Sequence, residues 1–147
     1  MNRLSIAWKS SLLLMVFCLS FNLQAEDVKT NWQAYSANLV KAVKKGSPGL
    51  KQSAMQRIIQ YGDNLDVSDA AYEIGRTFGY NQNPTVRRLA MIALHKINTD
   101  KSMFYLQQYL PLETNESVKK QANSILYDYL AANDMTLDDL KLAAADN

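Results

Sequence analysis

Catalysis needs titratable or nucleophilic side chains held together, and this chain offers few of them. It has one histidine, His95, in the stretch "NPTVRRLAMIALHKI" (83–97). A Ser-His-Asp triad would need that imidazole beside a serine and an acid. Helical spacing instead turns it away from the apolar stripe of Val86, Ala90, Ala93 and Ile97. Zinc takes three or four nitrogen or sulfur ligands, and the only cysteine is Cys18. Gly75 and Gly79 form neither a GxGxxG nor a GxxxxGK[ST] loop. The run "DNLDVSD" places Asp63, Asp66 and Asp69 close together. It lacks the glycine and closing glutamate of an EF-hand, so it reads as a solvated turn. "NES" at Asn115 fits an N-glycosylation pattern and equally a helix cap. The expectation is no catalytic residue, no cofactor and no metal.

The first 25 residues read as a secretory signal. Arg3 and Lys9 precede the apolar run "SLLLMVFCLSFNL", which leads into "QA". Basic start, apolar middle and small residue at the cut is the order such a segment needs. The run is shorter than the ~20 residues of a spanning helix. A cut after Ala25 is expected, with Ser20 as the alternative site and an uncleaved anchor as the competing reading. Phe17 stands before Cys18 where a lipoprotein signal carries a small residue, so no lipid anchor is expected. Residues 26–147 keep 16 − 2 = 14 basic and 14 acidic residues, a formal charge of zero. Balanced charge and export both argue against nucleic acid as a partner. Residues 26–147 contain no cysteine, so no disulfide supports the domain. The expected place is periplasmic or extracellular, without stable membrane insertion.

Three segments share one frame: "SPGLKQSAMQRIIQY" from Ser47, "NPTVRRLAMIALHKI" from Asn83 and "NESVKKQANSILYDY" from Asn115. Their starts are 36 and 32 residues apart. Ser47, Asn83 and Asn115 are cap residues, and Pro48 and Pro84 suit a first helical position. Glu116 takes that place in the third segment, where its charge suits the helix dipole. An apolar marker follows (Leu50, Val86, Val118), then a base (Lys51, Arg87, Lys119). Alanine stands four places after the marker in all three: Ala54, Ala90, Ala122. Eight places after it come Ile58, Leu94 and Leu126, and eleven after it Tyr61, Ile97 and Tyr129. These offsets share one helical face, and the small residue suggests a close helix approach.

Each segment has a helical partner upstream. Ala71, Ile74 and Phe78 share a face, as do Met103, Leu106 and Leu110, and Trp32, Tyr35, Leu39 and Val43. Ser68 and Asp100 are the expected N-caps. Gly46 and Gly79 are expected to end helices in the left-handed conformation, and Pro111 to stop the third first-helix. Thr136 and Asp139 are spaced for a capping box before a short helix over 137–144, expected to cover the end of the stack. Strand signals are missing.

The stretch from Thr99 to Leu130 resembles a HEAT repeat of the short, phycobilisome-lyase-like type. Asp100, Leu106 and Leu110 match its first helix, and Val118-Lys119 with Ala122 its second. Val86-Arg87 with Ala90 matches that second helix more closely. The resemblance covers roughly 31–130 and implies an all-α, α-α superhelix (a HEAT-like solenoid). About three helical hairpins and a C-terminal capping helix would occupy 26–147. It carries almost no information on function.

A solenoid offers extended faces, and second helices usually line the concave one. Offsets 2, 5 and 9 from the marker give Gln52, Met55, Ile59; Arg88, Met91, His95; and Lys120, Asn123, Tyr127. Methionine, tyrosine and arginine are enriched at interfaces. The expected partner-binding ridge is therefore Met55, Ile59, Arg88, Met91, His95, Lys120 and Tyr127, taking a peptide or an acidic protein surface. The competing reading of its apolar members is core packing. Lys51, Arg87 and Lys119 are expected to pair with carboxylates or helix-end carbonyls of neighbouring turns. The functional expectation is a non-catalytic binding module or scaffold. The alternatives are an accessory or lyase-like protein holding a small ligand between helices, or a subunit completing a larger solenoid.

Overall fold

Short polar caps start the helices, and one apolar stripe on each decides what it packs against. The computed structural model describes residues 31–145. The expected signal segment lies outside them. The helices are α1 (Trp32–Lys45), α2 (Pro48–Tyr61), α3 (Ala71–Tyr80), α4 (Pro84–Ile97), α5 (Asp100–Tyr109), α6 (Glu116–Ala132) and α7 (Leu137–Ala145). Short 3-10 turns cover Gly62–Asn64, Ser68–Ala70 and Leu110–Leu112. There is no strand among the described residues, so the fold is all-α.

The caps follow the sequence closely on the second helices. Ser47, Asn83 and Asn115 accept from the N–H groups of Leu50, Thr85 and Val118. Thr136 and Asp139 bond reciprocally at the start of α7. The first helices differ from expectation. α5 is capped by Thr99, whose hydroxyl accepts from the Ser102 N–H while Ser102 returns a bond. Asp100 is thereby released, and its carboxylate accepts the Tyr129 hydroxyl at 2.7 Å. α3 begins through the Ser68–Ala70 turn with no side-chain cap. Gly46 does cap α1, but in extended backbone. No glycine among the described residues has positive φ.

Gly79 is needed for a different reason. It lies inside α3, and an added Cβ would stand 2.7 Å from the Tyr109 ring. At Gly75 the nearest atom would be the Tyr105 Cβ, at 2.8 Å. Two glycines one turn apart let the α5 aromatics lie on the α3 backbone.

The helices pack as three pairs, α1/α2, α3/α4 and α5/α6. First helices also pack on first helices and second on second, so neighbouring pairs share one apolar core. Ala54, Ala90 and Ala122 are all buried in this core. Ile58, Ile74, Phe78, Leu94, Met103 and Leu106 are fully enclosed. The Asp66 N–H donates to the buried Ser36 hydroxyl, tying the loop before α3 to α1. α7 packs on α5 and buries Leu140. Leu50 departs from its frame: it lies in the first of the described pairs and is 51 % exposed. No helix among the described residues is long and apolar enough to cross a membrane.

The glycines yield two predictions of opposite sign. Gly79→Ala gains helix propensity of about 1 kcal/mol but drives a methyl into a buried ring. Overpacking costs about 1–3 kcal/mol, so the net change lowers the melting temperature. Gly49→Ala in α2 meets nothing within 4 Å and raises stability by about 0.5–1 kcal/mol. Thermal melts followed by circular dichroism compare the two.

Candidate interaction surface

Arg87 follows the marker valine of α4, and this register brings its guanidinium to the next pair. Nε and Nη2 donate to the two Glu113 oxygens at 2.8 and 2.7 Å. Nη1 donates to the Asn81 and Gln82 carbonyls at 2.9 and 3.1 Å. Glu113 also accepts the Asn115 N–H at 2.7 Å. Its side chain is 0 % exposed. The Arg87 hydrogen bonds hold the Glu113 carboxyl below the usual carboxylate range, against burial, with help from the Asn115 N–H. The same pairing raises the Arg87 pKa. In the first pair Lys51 reaches Glu73 at 3.7 Å. These two bases pair at repeat junctions, as their column in the sequence suggested; the Lys119 residue is half-buried.

The expected ridge divides. Met55 and Met91 are 1 % and 2 % exposed and belong to the core. Ile59 is half-buried and packs on the same core. Arg88, His95, Lys120 and Tyr127 are exposed. The reason is angular. At 3.6 residues per turn, offset 5 lies roughly 140° from the marker, while offsets 2 and 9 lie at roughly 180–200°. A second helix is covered both by its own first helix and by the second helices beside it. Its buried arc therefore extends to offset 5, and the open face centres on offset 6, which is Ile92 in α4. Ile92 is 38 % exposed and was not expected at this face. Arg88 is steadied by the Ser117 hydroxyl at 3.1 Å, across to α6. The resulting strip holds Arg88, Ile92, His95, Lys120 and Tyr127, with Tyr127 72 % exposed.

A second surface escaped the sequence reading. Tyr72 and Tyr80 on α3 are 47 % and 66 % exposed. Tyr72 meets Tyr105 edge-on at 5.4 Å, and Tyr80 meets Tyr109 at 5.5 Å. Arg76 lies over the Tyr72 ring at 5.9 Å. The signal available was the Gly75-xxx-Gly79 spacing, since paired glycines on a helix mark a close neighbour. Burial lifts the Tyr109 hydroxyl pKa above its ordinary value.

Among the described residues no group of three or more His, Cys, Asp or Glu side chains could hold a metal ion. Between the first two pairs lies a cavity of about 350 Å³, lined by Lys51, Met55, Thr77, Asn81 and Val86 among others. Compared with family models, curated proteins and solved structures, the chain matches none.

The Arg87–Glu113 clamp gives two predictions. Glu113→Ala strands a mostly buried guanidinium and costs about 3 kcal/mol, whereas replacing both partners with apolar residues costs less. Urea titration of Glu113→Ala and of Arg87→Met/Glu113→Leu tests the ordering. Glu113 has a depressed folded pKa, so its contribution is present above the ordinary carboxylate range and is lost as pH falls through the folded value. Melting from pH 7 towards pH 3 should therefore be steeper for wild type than for Glu113→Gln.

Proposed function

We propose that the chain is an exported, non-catalytic binding module of the HEAT-like type, which takes a protein or peptide on the open face of its second helices. The carrying observation is the strip itself: a tyrosine 72 % exposed and a part-exposed isoleucine among Arg88, His95 and Lys120. Tyrosine and arginine supply much of the energy of interfaces, and a basic rim selects acidic partners. The apolar start of the chain supports export, and the three-fold helical frame supports the HEAT-like reading. The Tyr72/Tyr80 plate on α3 is the competing surface, favoured by its larger aromatic area. The small-ligand alternative would use the 350 Å³ cavity beside Lys51 and Met55.

Cross-linking mass spectrometry in the native compartment separates the three. Capture of one protein by wild type and by Tyr80→Ala, with loss in Tyr127→Ala, identifies the second-helix strip. The reverse pattern moves the site to α3. Capture unchanged by either variant rejects both surfaces. Retention of a small molecule by the purified protein, lost in Met55→Trp, would establish the cavity instead. Each variant is first shown to melt as wild type does.

A further inference from the structure

The run 63–69 reads as a solvated turn in the sequence, but the fold makes part of it a wall. Between α1 and this loop lies a cavity of about 640 Å³, lined by Trp32, Gln33, Ser36, Val40, Asn64 and Asp66 among others. A second, of about 490 Å³, lies at the start of α5 and is lined by Asn98, Thr99, Asp100, Lys101 and Tyr129. Ser68 and Asp69 line both, which sets the two cavities side by side. Both volumes fall in the range of about 300–1,000 Å³ that small-molecule sites occupy. Their residues are distinct from those of the second-helix strip and the α3 tyrosine plate.

The chemistry of the lining selects a ligand class. Gln33, Ser36, Asn64, Ser68 and Asn98 carry groups that both donate and accept, whereas the aspartates only accept. A ligand hydroxyl also does both and matches this mixture. An ammonium only donates, so it would leave the amide N–H groups without a partner. Charge points the same way. Lys44 stands 3.9 Å from Asp69, and Lys101 lines the second cavity with Asp100, so most of the carboxylate charge is offset. Apolar lining is slight. In the first cavity it is Trp32, Ala37 and Val40; in the second it is the Tyr129 ring, with no Leu, Ile, Val or Met among the described residues. This offers no recess for the large apolar anchors that hold a peptide. An indole does suit the C–H face of a sugar ring, an apolar surface on an otherwise hydroxylated molecule.

Two acceptors are held ready. The Asp66 N–H donates at 3.1 Å to the hydroxyl of Ser36, a residue 4 % exposed, so the loop is tied to α1. The Ser68 hydroxyl donates to Asp66 Oδ1 at 3.2 Å, and the Tyr129 hydroxyl to Asp100 Oδ1 at 2.7 Å. Each carboxylate is steadied through Oδ1 and keeps Oδ2 for a donor from outside. Ordering these groups in advance lowers the cost of binding. We propose that the two cavities form one groove for a neutral oligosaccharide. Trp32 underlies one sugar ring, and Asp66 and Asp100 accept from sugar hydroxyls. This site goes beyond the protein-binding reading and does not rest on it.

Fluorescence provides the test, because the chain has two tryptophans, Trp8 and Trp32. A full chain carrying Trp8→Phe keeps Trp32 as its one indole and is titrated with maltohexaose, chitohexaose and their monosaccharides. At least one hexasaccharide should shift the Trp32 emission saturably, with a Kd at or below about 1 mM. It should bind at least about tenfold more tightly than its monosaccharide, and equally well at about 0.05 M and 1 M salt. Asp66→Ala and Asp100→Asn should each weaken it about tenfold, the loss of one hydrogen bond to a charged group. Each variant is compared at wild-type helicity and melting, and Gln33→Ala, at an exposed site, replaces either one that melts early. A Trp32 emission that neither hexasaccharide moves overturns the proposal. So does binding that none of these substitutions weakens. A response to spermidine or a lysine-rich peptide that fades with salt and is missing with the sugars also overturns it, in favour of a cationic ligand. The protein-capture experiment reads Tyr127 and Tyr80, so either proposal can fail without the other.

Discussion

Glu113 is a carboxylate shut away from water, and it stays ionised because three N–H donors converge on it. Two come from the Arg87 fork and one from the Asn115 backbone. Burying a charge without such partners is costly, so the geometry leaves little freedom at this point. Arg87 also closes the α3–α4 turn through the Asn81 and Gln82 carbonyls. One side chain thus fixes the end of α3, the start of α4 and the turn before α6. The register of the third pair on the second follows from it, and with that register come the Arg88–Ser117 contact and the alignment of the exposed strip.

Close approach between helices is set by small residues. Ala54, Ala90 and Ala122 stand buried on the second helices. On the first helices Gly75 and Gly79 make room for Tyr105 and Tyr109. Seating those two rings on bare backbone brings their edges against Tyr72 and Tyr80 and leaves the latter pair exposed. The aromatic plate is therefore a product of packing, whatever use is made of it.

The architecture was legible because it repeats. Cap, proline, marker and alanine recur in register, and chance does not reproduce such a frame three times. What failed was anything that depends on the far side of a helix or on distant residues. Met55 and Met91 fit either an open ridge or the core on spacing alone, and the covering of these helices on two sides puts them in the core. Leu50 looked buried because its frame was read as interior, although it lies in the first pair. Asp100 looked like a cap until Thr99 and Ser102 were seen to satisfy each other. Glu113 carried no local signal, since its partner is 26 residues away.

The packing order also has a mechanical meaning. Each helix pair rests mainly on the pair beside it, from α1/α2 at one end to α7 at the other. A pull applied at the two ends would be borne by these interfaces in series, like links, so the weakest one sets the strength. Among the first-helix contacts the thinnest joins α1 to α3, while the Arg87–Glu113 fork sits at the junction of the second and third pairs. Under load the molecule would give way interface by interface, lengthening in steps before it loses its centre.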